Sequence, residues 1–572
     1  MRNIVRELFI STLIIGAFFI SVSGANANTL GQRETFFVNK EFDKYGRTSL
    51  QATLQHAGNK SYFYVEDNYW NSLGSADRDT LTRNIQSLAN DFDANIYPKE
   101  TQFWGSDPNP GVDGDSKITI LLEELIKNNG GYFETSNGYL RDKAPDSNQR
   151  EMITVSVEIL KSNVSLPKAF LAHEFQHLIS FNQKELVYNI SEEVWLNELR
   201  SEYAVSQVGY GDPFSGSSLE RRMEVFLDEP SDSLTEWPNK TIDYGIAALF
   251  AEYLVEQYGV NILSETLRDN SSGINSLNKF LAEKGHRERF GDVFVNWMAA
   301  VYLNNSLLDS RLGYKNSELK NIRVQPQQRV SLSRGSQFSS LIQGLKDWQP
   351  AWLEFDLGSF SDDLDQSAKI EIFGESNQNF LTAYLAFYGN GQPEFGRIQV
   401  TSGKGNVYII NSDKKLNKIA VLATKATKFS DFGPTETAWP LSFKVSMIET
   451  KKAVTSVLKD GALIRKRGEK ETYVIWGKYK RYLTPGVIAL YGHLNSANAI
   501  EVEPEIFHSY TTSNYVKYIN DERVYAVWPD ESKHWLNITP QQWDASNRDW
   551  GAIFTINDLE LNFYKTGVDI IR

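Results

Sequence analysis

Hydrophobic positions in the first half of the chain follow two periods, which predict a mixture of strands and helices. Within residues 61–67, Tyr62 and Tyr64 fall on one face while Phe63 and Val65 fall on the other, as in a strand. Similar runs predict further strands at 51–57, 116–125 and 149–160. Helical periodicity predicts helices at 76–98, 167–185, 191–209, 241–259 and 290–305. A sheet-containing half followed by a helical half predicts an α+β domain over residues 28–320, with a cleft between two lobes.

The following part of the chain has the pattern of β-structure. The polar segment 316–336 has no hydrophobic period, and we interpret it as a linker. Short strand patterns separated by turn residues then run through residues 337–450, among them "PAWLEFDLGSF", "FLTAYLAFYG" and "LSFKVSMIE". This alternation of short strands and turns predicts a β-sandwich domain.

Residues 451–572 contain a weak internal repeat. The segment from Thr472, "TYVIWGKYKRYLTP", resembles "VYAVWPDESKHWLNITP" from Val524. A period of roughly 50 residues predicts two copies of one small aromatic-rich module, similar to short aromatic repeats on bacterial surface proteins. The aromatic residues could contact a cell wall, a glycan or a surface protein, or they could form the cores of the modules, which is the interpretation we favour. The candidates are Trp476, Tyr482, Trp528 and Trp535.

The N-terminal residues have the pattern of a signal peptide. Arg2 and Arg6 precede an apolar run over 8–22, and Ala25 and Ala27 supply the two small residues that an export peptidase reads. The alternative is a membrane anchor, but the run is shorter than the roughly 20 residues that a spanning helix needs. We therefore expect residues 1–27 to be removed and the protein to be extracellular, free or associated with the cell surface. No later segment is apolar enough to cross a membrane.

Composition narrows the classes of function. The chain has 572 residues, 41% of them hydrophobic, which is enough material for several packed cores. Its net charge is −13 and no long basic run occurs, so nucleic acid is not an expected partner. The chain has no cysteine, which excludes disulfides and thiolate nucleophiles.

The segment "LAHEFQHLIS" contains two of the seven histidines of the chain. His173 and His177 are four residues apart on a predicted helix, so they share a face and can offer two nitrogens to one ion. Zinc takes about four ligands in tetrahedral order, so a third protein ligand and a water position are also needed. The alternative is two ordinary histidines on a packed helix.

The next predicted helix supplies the third ligand. Glu198 and Glu202, in "NELRSE", are four residues apart and share one face. The flanking residues are mostly apolar, so part of this acidic face must lie against protein. We predict that Glu198 completes the metal site; the alternative is that both glutamates are solvated surface charges.

The combination of these motifs resembles the gluzincin zinc peptidases, the group that includes thermolysin. It is more closely similar to the hyicolysin-type neutral metalloproteases, which are exported bacterial enzymes. "DPNPGVDGDSKITILL", "GGYF", "LAHEFQHLI" and "WLNELRSEYA" match that pattern in order, over about residues 45–310. One departure is the pair Leu199-Arg200, where such enzymes usually carry two small or apolar residues.

The resemblance implies a two-lobed zincin fold and a role for each motif residue. His173, His177 and Glu198 would hold zinc, and Glu174 would accept a proton from water and pass it to the departing amine. Glu202 would accept the free ring N–H of the first histidine.

A hydrogen-bond donor for the transition state is also expected. Tyr244, at the predicted start of a helix after the metal helices, is our candidate, because gluzincins often have such a tyrosine opposite the zinc. His286 is the rival candidate, although its charged surroundings suggest a surface loop.

The acidic segment "DPNPGVDGDSK" also suggests a calcium site. Asp107, Asp113 and Asp115 are the candidate ligands. An EF-hand reading from Asp113 fails because Ile118 occupies the position that needs glycine. The alternative is a polar turn before a strand.

Together these patterns predict a secreted zinc-dependent endopeptidase that hydrolyses proteins or peptides. One alternative is a surface-adhesion or cell-wall-binding protein with an inactive peptidase domain. Another is a zinc aminopeptidase, which shares the metal ligands, but no GxMEN-like segment precedes the motif.

Overall fold

The computed structural model describes residues 28–127, 129–332, 337–358, 366–389, 392–409, 411, 415–449, 459–502, 504–519, 521–546 and 548–571. The predicted signal peptide, residues 1–27, lies outside this range. The chain forms two compact units, one made of residues up to 324 together with 428–436, the other of 325–427 and 437 onward. The domain limits given above stay predictions.

The first unit is an α+β structure built on one six-stranded sheet. The strand order is β1-β2-β3-β4-β6-β5, with parallel pairing of β3, β4 and β6 and antiparallel pairing elsewhere. Every residue of β3, β4 and β6 is buried, as expected for parallel strands that are covered on both faces. The strands are β1 Arg33–Phe37, β2 Ser49–Ala57, β3 Ser61–Glu66, β4 Ile118–Glu123, β5 Gly131–Phe133 and β6 Met152–Ser156.

Helices make up most of the rest of this unit. They are α1 Asp67–Ser72, α2 Ser75–Asp91, α3 Tyr97–Trp104, α4 Val157–Ser162, α5 Ser165–Ser180, α6 Val194–Gln207, α7 Ser218–Asp228, α8 Thr241–Tyr258, α9 Asn261–Leu267, α10 Gly273–Glu283 and α11 Phe290–Leu303. The strand predicted over 149–160 was too long, because the Ser156 side chain accepts from the N–H of Ile159 and starts α4. Wider helical turns follow α2 and α5, at Phe92–Ile96 and Phe181–Leu186, and 3₁₀ turns occur at Thr135–Gly138 and Ser310–Leu312.

A buried polar layer ties α6 to its neighbours. Arg200, the residue that departs from the expected pattern, is fully buried. Its Nη1 donates to Glu192 Oε2 at 2.6 Å and its Nη2 to Thr266 Oγ1 at 3.0 Å. Lys184, after α5, donates to the carbonyl oxygens of Thr266 at 2.7 Å and Asp269 at 2.9 Å. The arginine therefore holds the helix that carries Glu198 against α9.

The segment 428–436 belongs to the first unit, although the strands on either side of it in sequence belong to the second. Glu193, immediately before α6, accepts the backbone N–H of Asp431 at 2.6 Å and of Phe432 at 3.3 Å. The N–H of Trp237 donates to the carbonyl of Gly433 at 3.2 Å. This segment therefore packs against the start of α6 and the loop before α8.

The second unit begins with two five-stranded sheets. Their orders are β13-β14-β10-β16-β8 and β12-β11-β15-β9-β7. Phe355 and Val421 of one sheet and Ile370 and Phe443 of the other belong to a single buried cluster, so the two sheets share a core. The strands are β7 Gln328–Ser331, β8 Gln337–Leu345, β9 Ala351–Asp356, β10 Gln366–Gly374, β11 Phe380–Tyr388, β12 Glu394–Ile398, β13 Val400–Thr401, β14 Lys404–Ile409, β15 Leu416–Lys425 and β16 Trp439–Glu449. The linker interpretation of 316–336 was wrong in part, because β7 pairs with β9.

Two further five-stranded sheets follow, and they repeat one topology. Their orders, β20-β17-β18-β19-β21 and β25-β22-β23-β24-β26, match strand for strand. The strands are β17 Leu463–Lys466, β18 Thr472–Trp476, β19 Tyr479–Leu483, β20 Ile500–Val502, β21 Thr511–Thr512, β22 Tyr515–Tyr518, β23 Val524–Val527, β24 Ser532–Trp535, β25 Ile553–Ile556 and β26 Lys565–Thr566. Short helices connect them at Pro485–Leu490, Pro504–Ser509, Pro540–Ala545 and Asp558–Phe563, with 3₁₀ turns at Ser496–Asn498 and Trp550–Ala552.

The aromatic residues of these repeats do not all lie in cores. Trp476 is 55% exposed and Trp528 is 47% exposed, whereas Tyr482 and Trp535 are half-buried. The interpretation that all four are core residues was therefore wrong for the two tryptophans. Both tryptophans are exposed because each lies at the end of a strand, where the chain enters a turn.

Across the part of the chain that the structure describes, every helix is too short or too polar to traverse a lipid bilayer.

The buried polar layer gives a test of α6 packing. We expect Arg200→Met to lower the free energy of unfolding by about 3 kcal/mol, because Glu192 keeps a buried charge without its guanidinium partner. Urea unfolding followed by tryptophan fluorescence measures this. The double variant Arg200→Met/Glu192→Gln removes both charges and should recover most of the loss. An Arg200→Met protein as stable as the wild type would contradict this account of Arg200.

Candidate metal centre

Helices α5 and α6 bring two imidazoles and one carboxylate to a single point. His173 Nε2 lies 3.2 Å from His177 Nε2 and 3.2 Å from Glu198 Oε2, and His177 Nε2 lies 3.5 Å from the same oxygen. The four-residue spacing of the histidines places both rings on one face of α5, and α6 packs alongside it. Among the described residues, these three form the single group of three such ligand atoms within 4.8 Å of one another.

The spacing and the donor chemistry fit a zinc ion. Ligand atoms at about 2.1 Å from a tetrahedral ion lie about 3.4 Å from one another, which is close to the three distances in the cluster. Burial opposes ionisation of Glu198, but the two histidines outweigh it and hold the pKa of this carboxyl below its usual range. Two imidazole nitrogens and one carboxylate oxygen are the ligand types that zinc takes.

Hydrogen bonds on the far side of each ring orient the inward-facing nitrogens. Ser201 Oγ donates to Gln176 Oε1 at 2.5 Å and lies 3.1 Å from His177 Nδ1, so it accepts the proton on that nitrogen. His173 Nδ1 lies 3.4 Å from Glu202 Oε1 and has a carboxylate to accept its proton. Both Nε2 atoms therefore present lone pairs to the centre of the cluster, as metal ligands do.

Arg222 of α7 anchors the carboxylate behind His173. It donates to Glu202 from Nε at 2.8 Å and from Nη2 at 2.7 Å. Burial opposes ionisation of Glu202, but Arg222 and His173 lower the pKa of Glu202 to about 2. Sequence reasoning missed Arg222, because nothing in the local pattern of α7 relates it to the motif helices. It also gave no role to Ser201, although this serine lies inside the quoted "NELRSE".

Glu174 lies on α5 beside the edge strand β5. Burial raises the pKa of Glu174, while the neighbouring His173 and His177 oppose the shift. A Cβ atom on Gly131 would stand 3.4 Å from Glu174 Cγ and 2.7 Å from the carbonyl oxygen of Thr154. The glycine in "GGYF" thus lets β5 pass close to α5 at this residue.

Tyr244 lies in the first turn of α8, near the cluster. Its ring centroid is 6.3 Å from that of His173, the Arg222 guanidinium lies 4.6 Å from its centre, and its hydroxyl donates to Asn239 Oδ1 at 2.8 Å. Burial, followed by the charge of Glu198, raises the pKa of Tyr244 above its usual range, so the hydroxyl keeps its proton.

His286 does not share this position. Its ring contacts Tyr258, with centroids 5.0 Å apart. Tyr258 ends α8 and Tyr244 lies in the first turn of that helix, about 21 Å away along its axis. The rival candidate is therefore wrong.

A cavity of about 200 Å³ opens beside the cluster. His177 and Glu198 form part of its lining. The other lining residues are Phe133, Thr135, Ser180, Phe181, Lys184, Glu185, Glu192 and Asn197.

The loop proposed for calcium is held by its own hydrogen bonds. Asp113 accepts the N–H of Asp115 at 2.9 Å, and Asp115 accepts the N–H of Lys117 at 3.0 Å. Asp107 accepts the hydroxyl of Tyr97 at 3.1 Å. Calcium binding by Asp107, Asp113 and Asp115 stays a prediction.

Comparison with known proteins adds one relative. Neutral metalloprotease ShpI of Staphylococcus hyicus is 26% identical over 292 residues, which cover 46% of this chain and 61% of that protein. The chain is related to the neutral metalloproteases. The relationship predicted from the HEFQH and NELRSE motifs is thereby confirmed, and the chain spans about three fifths of this relative's length.

Solved structures resemble this chain only weakly. A search of protein-family models finds no match. The pre-peptidase C-terminal domain of a Bacillus anthracis collagenase is 9% identical, with a TM-score of 0.14, and covers 22% of this chain and 97% of that one. The IMPa metallopeptidase of Pseudomonas aeruginosa is 9% identical, with a TM-score of 0.13, and covers 79% of this chain and 55% of that one.

Glu151, which sequence reasoning did not single out, faces the same acidic loop. It is 4% exposed and accepts the N–H of Val112 at 3.2 Å. Burial, together with the charges of Asp113 and Asp107, raises the pKa of Glu151 to about 7. Between the ordinary glutamate pKa and this value, the folded chain holds a proton that the unfolded chain has lost. The stability that this proton contributes is therefore lost as pH rises from about 4.5 to about 7.

We expect Glu151→Gln, which keeps the side-chain shape without the charge, to be more stable than the wild type at pH 8. The difference should be largely gone near pH 4.5, because Glu151 is then protonated in the folded chain and about half protonated in the unfolded chain. Urea unfolding midpoints at the two pH values measure it. Asp79→Asn, which removes an exposed carboxylate of α2, is the control and should change neither midpoint. An equal pH dependence in the wild type and Glu151→Gln would contradict the assignment.

Proposed function

We propose that the protein is a secreted, zinc-dependent endopeptidase that hydrolyses peptide bonds of proteins. The observation that carries the proposal is the spacing of His173 Nε2, His177 Nε2 and Glu198 Oε2, all within 3.5 Å of one another. The relationship to a neutral metalloprotease supports the same reaction class. A two-lobed zincin fold for the first unit, with the cluster at the cleft, is part of the proposal.

His173, His177 and Glu198 would hold the zinc ion. When bound, this ion polarises the scissile carbonyl and makes water acidic enough to lose a proton near neutral pH. Glu202, fixed by Arg222, would keep the proton on His173 Nδ1, and Ser201 would do the same for His177 Nδ1. Both Nε2 atoms then remain free to bind the metal.

Glu174 would act as the general base. Its carboxylate would take a proton from the attacking water and deliver it to the amine nitrogen that leaves. Burial raises the pKa of Glu174, the direction that makes a carboxylate a better proton acceptor. The close approach of β5 to α5 at Gly131 would bring a substrate that lies along β5 near this side chain.

Tyr244 would donate its hydroxyl hydrogen to the oxygen that gains negative charge in the transition state. In the present arrangement this hydroxyl donates to Asn239, so it would exchange that acceptor for the substrate oxygen. Protein or peptide substrates could lie along β5, because this edge strand pairs with β6 on one side only.

The C-terminal repeats would serve attachment rather than catalysis. The exposed Trp476 and Trp528 occupy equivalent places in two matching sheets and could contact a cell-wall or surface ligand. The pattern of residues 1–27 supports secretion. Calcium at the loop of Asp113 would be an additional structural metal.

Two variants separate metal binding from proton transfer. We expect Glu174→Gln to keep one zinc per chain but lose casein hydrolysis by about 1,000-fold, because the base is gone. Glu198→Ala should lose zinc as well as activity, because two histidines hold the ion weakly. Elemental analysis and a casein assay measure both effects. Glu224→Gln, an exposed change on α7, is the control and should alter neither.

Wild-type hydrolysis that survives chelation, or activity that survives Glu174→Gln, would rule out the proposed mechanism. A zinc-loaded wild type that cleaves nothing would favour the adhesion alternative. Cleavage limited to peptides with a free N-terminus would favour the aminopeptidase.

We expect Tyr244→Phe to lower kcat by about 100-fold with zinc content unchanged, because the transition state loses one hydrogen-bond donor. Steady-state kinetics on a peptide blocked at both ends measure this. Tyr253→Phe is the matched control on the same helix, since its hydroxyl donates to the backbone of Arg311 at 2.9 Å. A Tyr244→Phe enzyme with wild-type kcat would exclude the tyrosine from catalysis.

A further inference from the structure

The cavity beside the cluster of His173, His177 and Glu198 lies where a peptidase would receive a substrate side chain. This inference rests on the proposed peptidase function. The cavity measures about 200 Å³ and is lined by His177 and Glu198 on the side of the cluster. A substrate whose scissile bond lies at the cluster would therefore place a neighbouring side chain in this cavity.

Aromatic rings form part of the cavity wall. Phe133 and Phe181 both line it, with ring centroids 6.0 Å apart, and Tyr139 packs edge-on against Phe181 at 5.3 Å. Aromatic walls of this kind can pack against the methylene groups of a long side chain. Their faces also attract the cationic group at the end of a lysine or arginine.

Two of the charged residues that line the cavity are already satisfied. Lys184 donates to three backbone carbonyls, those of Thr266, Asp269 and Ser271, so its ammonium group has no hydrogen left for a ligand. Glu192 accepts from Arg200 at 2.6 Å and from the N–H of Gly273 at 2.7 Å. Lys184 and Glu192 are therefore engaged within the protein, and neither is expected to select for the charge of a substrate side chain.

Glu185 differs from them. Its Oε2 accepts the hydroxyl of Tyr139 at 3.0 Å, and among the described residues no lysine, arginine or histidine forms an ion pair with it. Asn197, the residue before Glu198, adds a second acceptor, because its Oδ1 is buried without a hydrogen-bond partner among the described residues. The lining thus offers hydrogen-bond acceptors and one carboxylate without an ion-pair partner. Its one lysine, Lys184, is already bonded to backbone carbonyls.

We propose that this cavity binds a lysine or arginine side chain adjacent to the scissile bond, with Glu185 as the specificity-determining residue. The methylene groups would lie against the parts of Phe133 and Phe181 that line the cavity, and the cationic end would meet the Glu185 carboxylate. Asn197 Oδ1 would accept a further hydrogen bond from the same group.

Quenched fluorescent peptides blocked at both ends test this with the zinc-loaded full chain. The residue on either side of the scissile bond is varied in turn among Lys, Arg, Met and Glu, and kcat/KM is measured. We expect Lys or Arg to exceed Met by about tenfold or more at one of the two positions, because a buried acceptor is left unpaired by the methionine. Glu185→Gln should remove most of this ratio, and Glu185→Lys should shift the preference toward Glu.

Two further variants serve as matched controls. Tyr139→Phe removes the hydrogen bond to Glu185 but leaves the Glu185 carboxylate in place, so the preference for a basic residue should remain. Asp142→Asn removes an exposed carboxylate outside the cavity lining and should leave all rates unchanged.

The outcomes separate the two proposals. If the wild type cleaves no peptide, the proposed function fails. If it cleaves peptides without preferring a basic residue at either position, the cavity assignment alone fails. A basic preference that persists unchanged in Glu185→Gln also overturns the role of Glu185. The wild-type preference by itself remains a test if a variant does not fold.

Discussion

The first unit depends on the convergence of two imidazole lone pairs and one carboxylate at distances of 3.2 to 3.5 Å. Each ring is turned by an acceptor behind it, Glu202 for His173 and Ser201 for His177. Inward-facing lone pairs at this separation repel one another unless a cation lies between them. The cluster is therefore an arrangement that a bound metal ion would stabilise, and much of the surrounding structure supports it.

That support comes from elements far apart in the sequence. Arg222 of α7 fixes Glu202 with two hydrogen bonds, and Arg200 ties α6 to α9 through Glu192 and Thr266. The segment 428–436 adds contacts to Glu193 at the start of α6. The position of Glu198 is thus determined from three directions, as the proposed role of a metal ligand would require.

The same helices also shape the surroundings in which a substrate would lie. Placing Arg200 beneath α6 neutralises Glu192, and the turn after α5 directs Lys184 into backbone carbonyls. Glu185 is left as the uncompensated charge of the cavity next to the cluster. Charge selection and metal binding would therefore be consequences of one packing arrangement between α5, α6 and α9.

The sequence alone determined the elements that depend on local pattern. Helix spacing placed His173 and His177 on one face, and the mostly apolar segment 118–123 matched a buried central strand, because these properties follow from local sequence. The contacts of Ser201, Arg222 and Glu151 and the position of Glu185 beside the cavity were decided only by tertiary structure, since each depends on partners brought near by folding. The exposure of Trp476 and Trp528 could likewise not be predicted from the sequence. An aromatic residue at a strand end has the same local pattern whether it lies inside a core or on the surface.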